Sequence, residues 1–146
     1  MNKQAIHTKN APAALGPYSQ AIRSGYTVYL SGQLGLDPVT GNLRDGVEAQ
    51  ARQVFDNLRG VAEAAGGSLD DMVKLSVLLV DLADFAKVND IMTSCFTPPY
   101  PARATYQVAA LPKAALIEVE GILLLNPASE QTWPGGGSPF DSRKGQ

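Results

Sequence analysis

The chain has 146 residues, of which 45% are hydrophobic and 18% are charged, and its formal net charge is -2. A chain of this length forms a single domain that buries about two thirds of the surface of its unfolded state, so it needs neither a disulfide nor a metal ion for stability. No cluster of basic residues exceeds the pair Arg143-Lys144, so the composition argues against nucleic acid as a partner.

The cysteine content and the N-terminus bear on the cellular compartment. Cys95 is the only cysteine, which excludes an intramolecular disulfide and fits a reducing compartment. Residues 1–10 lack the apolar core of a signal peptide, and the apolar run at residues 75–80 is far too short to span a bilayer. We therefore expect a cytoplasmic protein that does not bind membranes, with an organellar pool as the alternative.

Three segments of apolar and β-branched residues near the N-terminus predict short strands, at residues 4–8, 21–24 and 27–33. Residues 11–17, between the first two, carry two prolines and a glycine and predict a surface loop. In the third strand Val28 and Leu30 point to one face of the sheet, whereas Tyr29 and Ser31 point to the other.

The middle of the chain predicts two helices on either side of a strand. Apolar residues recur at helical spacing from Val47 to Ala65, and Gly66-Gly67 then ends the first helix. Asp81 is expected to cap the second helix, which Pro98-Pro99 ends. The strand, residues 72–80, has one apolar face formed by Val73, Leu75, Val77 and Leu79. The inner stripe of the second helix is formed by Phe85, Val88, Met92 and Cys95.

Two further strands are predicted at residues 101–108 and 116–120. The proline and lysine between them suit a turn, so we predict that these strands form a hairpin. Arg103 would then lie close to Glu118 and Glu120.

Alternation along the first of these strands places Arg103, Thr105 and Gln107 on one face. An arginine is always charged, and its planar fork of donors matches a carboxylate. This face is therefore a candidate site for a small carboxylate ligand. From the residues alone, an arginine beside two glutamates is more often a structural ion pair.

Together these elements predict an α+β fold in the order β, β, β, α, β, α, β, β. Two helices would cover one face of a mixed six-stranded sheet, which gives a two-layer domain over residues 1–126. The other face needs a partner, and three subunits that bury these faces together would supply it, so a trimer is our hypothesis. Residues 127–146 are rich in proline and glycine and predict a flexible tail.

Three separated motifs resemble the RidA family of reactive-intermediate deaminases, also called the YjgF family. They are residues 101–120, Gly16-Pro17-Tyr18-Ser19-Gln20-Ala21 and Tyr29-Leu30-Ser31-Gly32-Gln33, and the resemblance covers about residues 5–125. It implies a chorismate-mutase-like fold and a homotrimer that binds substrate in clefts between subunits and uses no cofactor. It also implies a hydrolase acting on C=N bonds, which detoxifies 2-enamino and 2-imino acids such as 2-aminoacrylate and 2-iminobutanoate by converting them to 2-keto acids and ammonia.

The resemblance implies catalytic roles for Arg103 and Glu118. Arg103 matches the family's carboxylate-binding arginine, which would fix the C=N carbon for attack. Glu118 matches the family's water-activating carboxylate and would act as general base. From the residues alone, Glu118 would equally well neutralise Arg103 or Lys74 across the sheet.

Five further residues are expected to bind substrate, namely Tyr18, Ser31, Gly32, Asn89 and Thr105. The family places the tyrosine against the substrate of a neighbouring subunit and the asparagine near the cleft. The serine and glycine end a strand, where a hydroxyl and a backbone N–H can reach a ligand. The threonine stands where many bacterial relatives have a cysteine, so only a hydroxyl contact is expected. The structural alternatives are packing for the tyrosine, a plain strand end for the serine and glycine, and a solvated helix face for the asparagine.

Two other functions remain as alternatives. Some animal relatives are reported to act as endoribonucleases that inhibit translation, but a single histidine, His7, and a net charge of -2 argue against RNA chemistry. A non-catalytic small-ligand binding module is the other alternative, because some relatives of this fold lack the arginine. A metal site is not expected, since ligand side chains are not clustered.

Overall fold

The computed structural model describes residues 2–127, which form six strands and two helices. The strands are β1 (Gln4–Ile6), β2 (Ala21–Ser24), β3 (Thr27–Leu34), β4 (Met72–Leu79), β5 (Ala102–Gln107) and β6 (Ile117–Leu124). The helices are α1 (Gly46–Ala64) and α2 (Phe85–Cys95), and short 3-10 turns lie at Leu69–Asp71, Leu82–Asp84 and Pro112–Ala114. The predicted element order is confirmed. Apart from Pro127, the predicted tail lies outside the described residues.

The six strands form one mixed sheet in the spatial order β1-β2-β3-β6-β4-β5. β4 and β5 are parallel, and the other neighbouring pairs are antiparallel. The hydrophobic core joins Phe55 and Leu58 of α1 to Leu75, Val77 and Val119 of the sheet. This is the α+β arrangement of helices on one sheet face that the sequence predicts.

The predicted hairpin between residues 101–108 and 116–120 is wrong. β4 lies between the two strands, and Leu78 of β4 pairs with Tyr106 on one side and with Glu118 on the other. The chain from β4 through α2 to β5 is a β-α-β crossover, which places β5 parallel to β4 at the sheet edge. β6 then occupies the opposite side of β4.

α1 follows the predicted apolar periodicity and ends where predicted. Phe55 and Leu58 on its inner face have no exposed surface. Gly66 adopts a left-handed φ of 97°, and Gly67 N–H donates to Ala62 O at 3.0 Å. This bond satisfies a carbonyl at the end of the helix, which is the usual function of a glycine in this position.

Three details of β4 and α2 differ from what the sequence predicts. Val73 is 46% exposed, because a register shift after Met72 turns it out of the core. Asp81 caps the 3-10 turn that precedes α2, accepting from Ala83 N–H at 2.9 Å, so the helix itself begins at Phe85. Phe85 is also partly exposed and does not belong to the core.

Within residues 2–127, neither helix packs on the opposite face of the sheet, called here the open face. Tyr29, Tyr106 and Leu124 lie on it, and each of these side chains is at least half exposed. Glu118 and Glu120 share this face through their pairing with alternate residues of β4. An exposed apolar surface of this kind is typical of a face that another protein surface covers.

Candidate active site

The two predicted catalytic residues lie on opposite faces of the sheet. Arg103 pairs with Leu75 of β4, whose side chain is buried on the helix side. Glu118 pairs with Leu78, three residues along the same strand, and therefore points to the open face. The expectation that Arg103 lies beside Glu118 and Glu120 is wrong within one chain, because it depended on the hairpin.

Glu118 lines a cavity of about 550 Å³, called here the Glu118 pocket. Its walls come from the loop between β1 and β2, from β3, from β6 and from the Pro112–Ala114 turn. Of the predicted site residues, the pocket brings together Tyr18, Ser31, Gly32 and Glu118.

The carboxyl of Glu118 is partly buried and has no cationic partner among residues 2–127. Burial raises its pKa, and repulsion from Glu120 on the same strand face raises the pKa further. The ion pairs among the described residues do not include Glu118, so the structure does not support its neutralisation by Arg103 or Lys74. A carboxyl of this kind exchanges a proton at higher pH than an ordinary glutamate.

Gly32 gives the carboxyl of Glu118 its space. A Cβ atom at position 32 would lie 2.9 Å from Glu118 Cδ and 3.0 Å from its Oε1, which is too close for an undisturbed contact. A register shift of β3 between Leu30 and Gln33 places the glycine there. A side chain at this position would therefore displace the carboxyl.

Tyr18 lies in the loop between β1 and β2, and Ser31 of β3 is hydrogen-bonded to the end of that loop. Ser31 Oγ donates to Ser19 O at 2.5 Å, and Ser31 N–H donates to Gln20 O at 3.0 Å. Tyr18 is 54% exposed, so little packing within the chain holds its ring. The hydroxyl proton of Ser31 thus already has an acceptor within the protein, and this residue supports the loop.

Arg103 lies against α2 in a second cavity of about 270 Å³, the Arg103 pocket, which also includes Asn89, Met92 and Tyr100. Its Nη1 donates to Asn89 Oδ1 at 2.6 Å and to Met92 Sδ at 3.3 Å. Its guanidinium carbon lies 5.0 Å from the centre of the Phe85 ring. These partners are neutral, so they orient the cation without cancelling its charge.

The family resemblance placed Asn89 near the substrate cleft, but its contact with Arg103 and the contribution of Phe85 and Met92 were not predicted. Both were assigned to the inner stripe of the second helix. The available signal was their spacing, because residues 85, 89 and 92 recur every three or four positions and so share one helix face. The structural ion pair considered for Arg103 does not occur among the described residues.

Thr105 shares the sheet face of Arg103, two residues along β5, but it lines neither cavity. Its Oγ1 is buried and has no hydrogen-bond partner within residues 2–127. A buried unpaired hydroxyl costs about 1–3 kcal/mol. Its contact with substrate stays a prediction.

Residues 2–127 contain no group of three or more His, Cys, Asp or Glu side chains arranged to hold a metal ion. His7 is exposed and lines neither cavity. Neither α1 nor α2 has the length and apolar character needed to cross a membrane.

Comparisons with known proteins agree with the motifs. The family model described as Endoribonuclease L-PSP matches residues 8–124. The RutC family protein y4sK of Sinorhizobium fredii is 51% identical over 124 residues, which are 84% of this chain and 98% of that protein. The 2-iminobutanoate/2-iminopropanoate deaminase of Bos taurus is 47% identical over 126 residues, which are 86% of this chain and 92% of that protein.

A solved structure extends the comparison to the fold. The crystal structure of RidA from the Antarctic bacterium Psychrobacter sp. PAMC 21119 matches with a TM-score of 0.82 and 56% sequence identity. The match covers 84% of this chain and 99% of that chain. The chain therefore belongs to the Endoribonuclease L-PSP family, which is the RidA or YjgF family that its motifs resemble.

Proposed function

We propose that this protein is a hydrolytic deaminase that converts reactive 2-enamino and 2-imino acids, of the 2-aminoacrylate and 2-iminobutanoate type, to 2-keto acids and ammonia. The observation that carries the proposal is the environment of Arg103, a permanent cation that Asn89, Met92 and Phe85 orient and that has no ion-pair partner within residues 2–127. Such a cation is available to bind the carboxylate of a small acid. The name of the Bos taurus relative supports the same chemistry.

The working site is proposed to lie between two subunits of a homotrimer. Within one chain Arg103 and Glu118 lie on opposite faces of the sheet, so both cannot contact one small acid. A second copy that covers the open face would bring its own edge strand, β5, toward the Glu118 pocket. Head-to-tail contacts close into a ring when the rotation between neighbouring subunits is a whole fraction of a turn, and a ring of three gives each pocket one neighbour.

In the proposed reaction the substrate carboxylate binds Arg103 of one subunit, which directs the iminium carbon toward Glu118 of the next. Ionised Glu118 takes a proton from water as the water oxygen bonds to that carbon, and the C=N π electrons move to nitrogen. Glu118 then returns the proton to nitrogen, and the C–N bond breaks with its electron pair leaving on ammonia. The hydroxyl loses its proton to solvent and becomes the ketone. The raised pKa of Glu118 suits both transfers.

The remaining predicted residues support this arrangement in different ways. Asn89 orients Arg103, and Gly32 leaves space for the Glu118 carboxyl. Tyr18 forms one wall of the Glu118 pocket. Thr105 is kept as a proposed substrate contact because its hydroxyl lies on the same strand face as Arg103 and has no hydrogen-bond partner in the described part of the chain.

Residues 1–126 are proposed to be the catalytic domain and the cytoplasm its compartment. The family match to residues 8–124 supports the first point. The single cysteine, Cys95, is free and suits a reducing compartment.

Replacement of Arg103 tests the proposed function. We expect Arg103→Ala to lower kcat/KM by about 10²–10⁴-fold, because both binding and orientation of the carboxylate are lost. The measurement is the decay of the imine released by a threonine dehydratase or an amino-acid oxidase. Arg59→Ala is the matched control, since Arg59 pairs with Asp56 on α1 and lines neither cavity.

Two results would overturn the proposal. One is a wild-type protein that does not accelerate imine decay, and the other is an Arg103→Ala variant as active as Arg59→Ala. Binding of 2-ketobutanoate without turnover would indicate a binding module. Cleavage of RNA would support the activity named in the family description, although neither cavity contains a histidine for acid-base chemistry.

A further inference from the structure

We propose that Gln20 is a positioning residue, which fixes the loop between β1 and β2 and thereby places Tyr18 at the Glu118 pocket. This loop, residues 7–20, is called here the Tyr18 loop. The inference rests on the proposed function, because it concerns how the same pocket binds its substrate. Gln20 also forms part of the pocket wall, but its carboxamide is engaged by the loop backbone, so the inference assigns it no contact with the reacting atoms.

The side chain of Gln20 joins the two ends of the Tyr18 loop. It is only 2% exposed, and its Oε1 accepts from Thr8 N–H at 2.7 Å. Its Nε2 donates to Pro12 O at 2.8 Å, to Thr8 O at 3.0 Å and to Ala11 O at 3.3 Å. The two N–H donors of the amide are shared among these three carbonyl oxygens, so one carboxamide contacts four backbone groups of the loop, all of them near its start.

The start of the loop is itself fixed to the body of the protein. Ala11 is buried in the hydrophobic core. The chain at Asn10 runs so close to α1 that a Cβ atom on Gly60 would lie 2.7 Å from Asn10 O. Gln20 thus connects the end of the loop to a segment that cannot move independently of the core.

The end of the loop has a second connection, to β3. Ser31 N–H donates to Gln20 O, and Ser31 Oγ donates to Ser19 O. The backbone of Gln20 is therefore held by β3 while its side chain holds the loop start. These contacts enclose residues 12–18, which carry Tyr18.

Residues 12–18 have little packing of their own. Leu15 is 81% exposed and Tyr18 is 54% exposed, yet both line the Glu118 pocket. Their position is therefore set by the hydrogen bonds at the two ends of the segment and not by burial. Loss of the Gln20 contacts should move this wall of the pocket while leaving Glu118 and the core in place.

Two substitutions separate this role from general stability. Gln20→Leu removes all of the side-chain hydrogen bonds. Gln20→Glu keeps the size, but its ionised carboxylate has no donor for the carbonyl oxygens of Thr8, Ala11 and Pro12, whereas the protonated acid has one. Ser68→Ala is the control, because it removes a hydrogen bond from the capping box at Leu69–Asp71, which lines neither cavity.

The experiment measures kcat and KM for imine hydrolysis, and amide hydrogen exchange of residues 12–18. We expect Gln20→Leu and Gln20→Glu to raise KM about ten-fold with kcat within about two-fold of wild type, and exchange of residues 12–18 to accelerate. The KM ratio of Gln20→Glu to wild type should fall as the pH is lowered from about 8 to about 5, as the new carboxyl protonates. Ser68→Ala should leave KM and this exchange unchanged.

The inference is overturned if Gln20→Leu keeps the wild-type KM, even if its stability falls, or if Ser68→Ala shows the same rise in KM. Titration calorimetry with 2-ketobutanoate gives a second readout that does not require turnover. If wild type binds this acid but hydrolyses no imine, the deaminase proposal fails, and unchanged affinity in Gln20→Leu then overturns the role of Gln20 separately. If wild type neither binds the acid nor hydrolyses imine, both proposals fail.

Discussion

The proposed mechanism needs the ionised form of Glu118, which the fold disfavours. Burial raises the pKa of its carboxyl, and Glu120 raises it further by repulsion. The unfolded chain has the ordinary glutamate pKa of 4.5, so the folded protein binds this proton more tightly. The free energy of unfolding therefore falls as the pH rises from 4.5 to the raised pKa of Glu118 in the folded protein. At higher pH this loss of stability remains constant. Active sites commonly contain ionisable groups that lower the stability of the folded protein in this way.

Glu120→Gln tests this electrostatic account. Removal of the neighbouring charge should lower the pKa of Glu118, so a larger share of the protein carries the ionised base in weakly acidic solution. We expect the acid limb of the pH profile of kcat to move to lower pH. Glu48→Gln is the control, since Glu48 lies in the first turn of α1 and lines neither cavity. An unchanged limb, or a shift to higher pH, would contradict the account.

The packing of β3 against β6 decides where the Glu118 carboxyl lies. Gly32 in the β3 register shift leaves room that any Cβ atom would fill. We expect Gly32→Ala to lower kcat by about 10–100-fold, because a displacement of about 1 Å at a reacting group has an effect of this size. Steady-state imine assays on the folded variant measure it.

Gly25→Ala is the matched control for this substitution. Gly25 lies in the turn between β2 and β3 with φ +62°, and nothing lies within 4 Å of an added Cβ atom. We expect a loss of about 1 kcal/mol in stability from backbone strain and an unchanged kcat. Full activity of Gly32→Ala would show that the glycine does not determine the position of the carboxyl.

The elements themselves were predictable wherever side-chain periodicity is local. The 3.6-residue repeat and Gly66-Gly67 predicted α1 and its end, and alternation placed Arg103 and Thr105 on one strand face. Strand pairing was not local, because β5 pairs with β4 through the crossover that contains α2. The order strand, helix, strand over residues 72–107 indicates that β4 and β5 are parallel neighbours. The turn residues before β6 indicate instead a hairpin of β5 and β6, so the sequence contains two conflicting signals.

The residue types of the candidate site were predictable from the sequence, but the positions of these residues relative to one another were not. Arg103 and Glu118 were identified through a family motif, and Asn89 through a further position that matches the family. The separation of Arg103 from Glu118 depends on which edge of β4 each strand occupies, and the role of Gln20 depends on four hydrogen bonds across a loop. Neither the strand order nor these loop contacts has a periodic pattern in the sequence.

The complete protein is proposed to have two half-sites on each subunit. The Arg103 pocket offers an anion-binding cation, and the Glu118 pocket offers a base. The open face, to which Glu118 points, carries exposed Tyr29, Tyr106 and Leu124, which a neighbouring copy would bury. Assembly and catalysis are then inseparable, because an isolated subunit would have no complete site.

Coexpression of Arg103→Ala and Glu118→Gln subunits tests this central claim most directly. Each variant alone should be inactive. In a mixed trimer, one site combines the intact Arg103 of a Glu118→Gln subunit with the intact Glu118 of an Arg103→Ala subunit. Random assembly from equal amounts should restore about one quarter of wild-type activity in the imine assay. Mixed oligomers that remain as inactive as the separate variants would contradict a site shared between subunits.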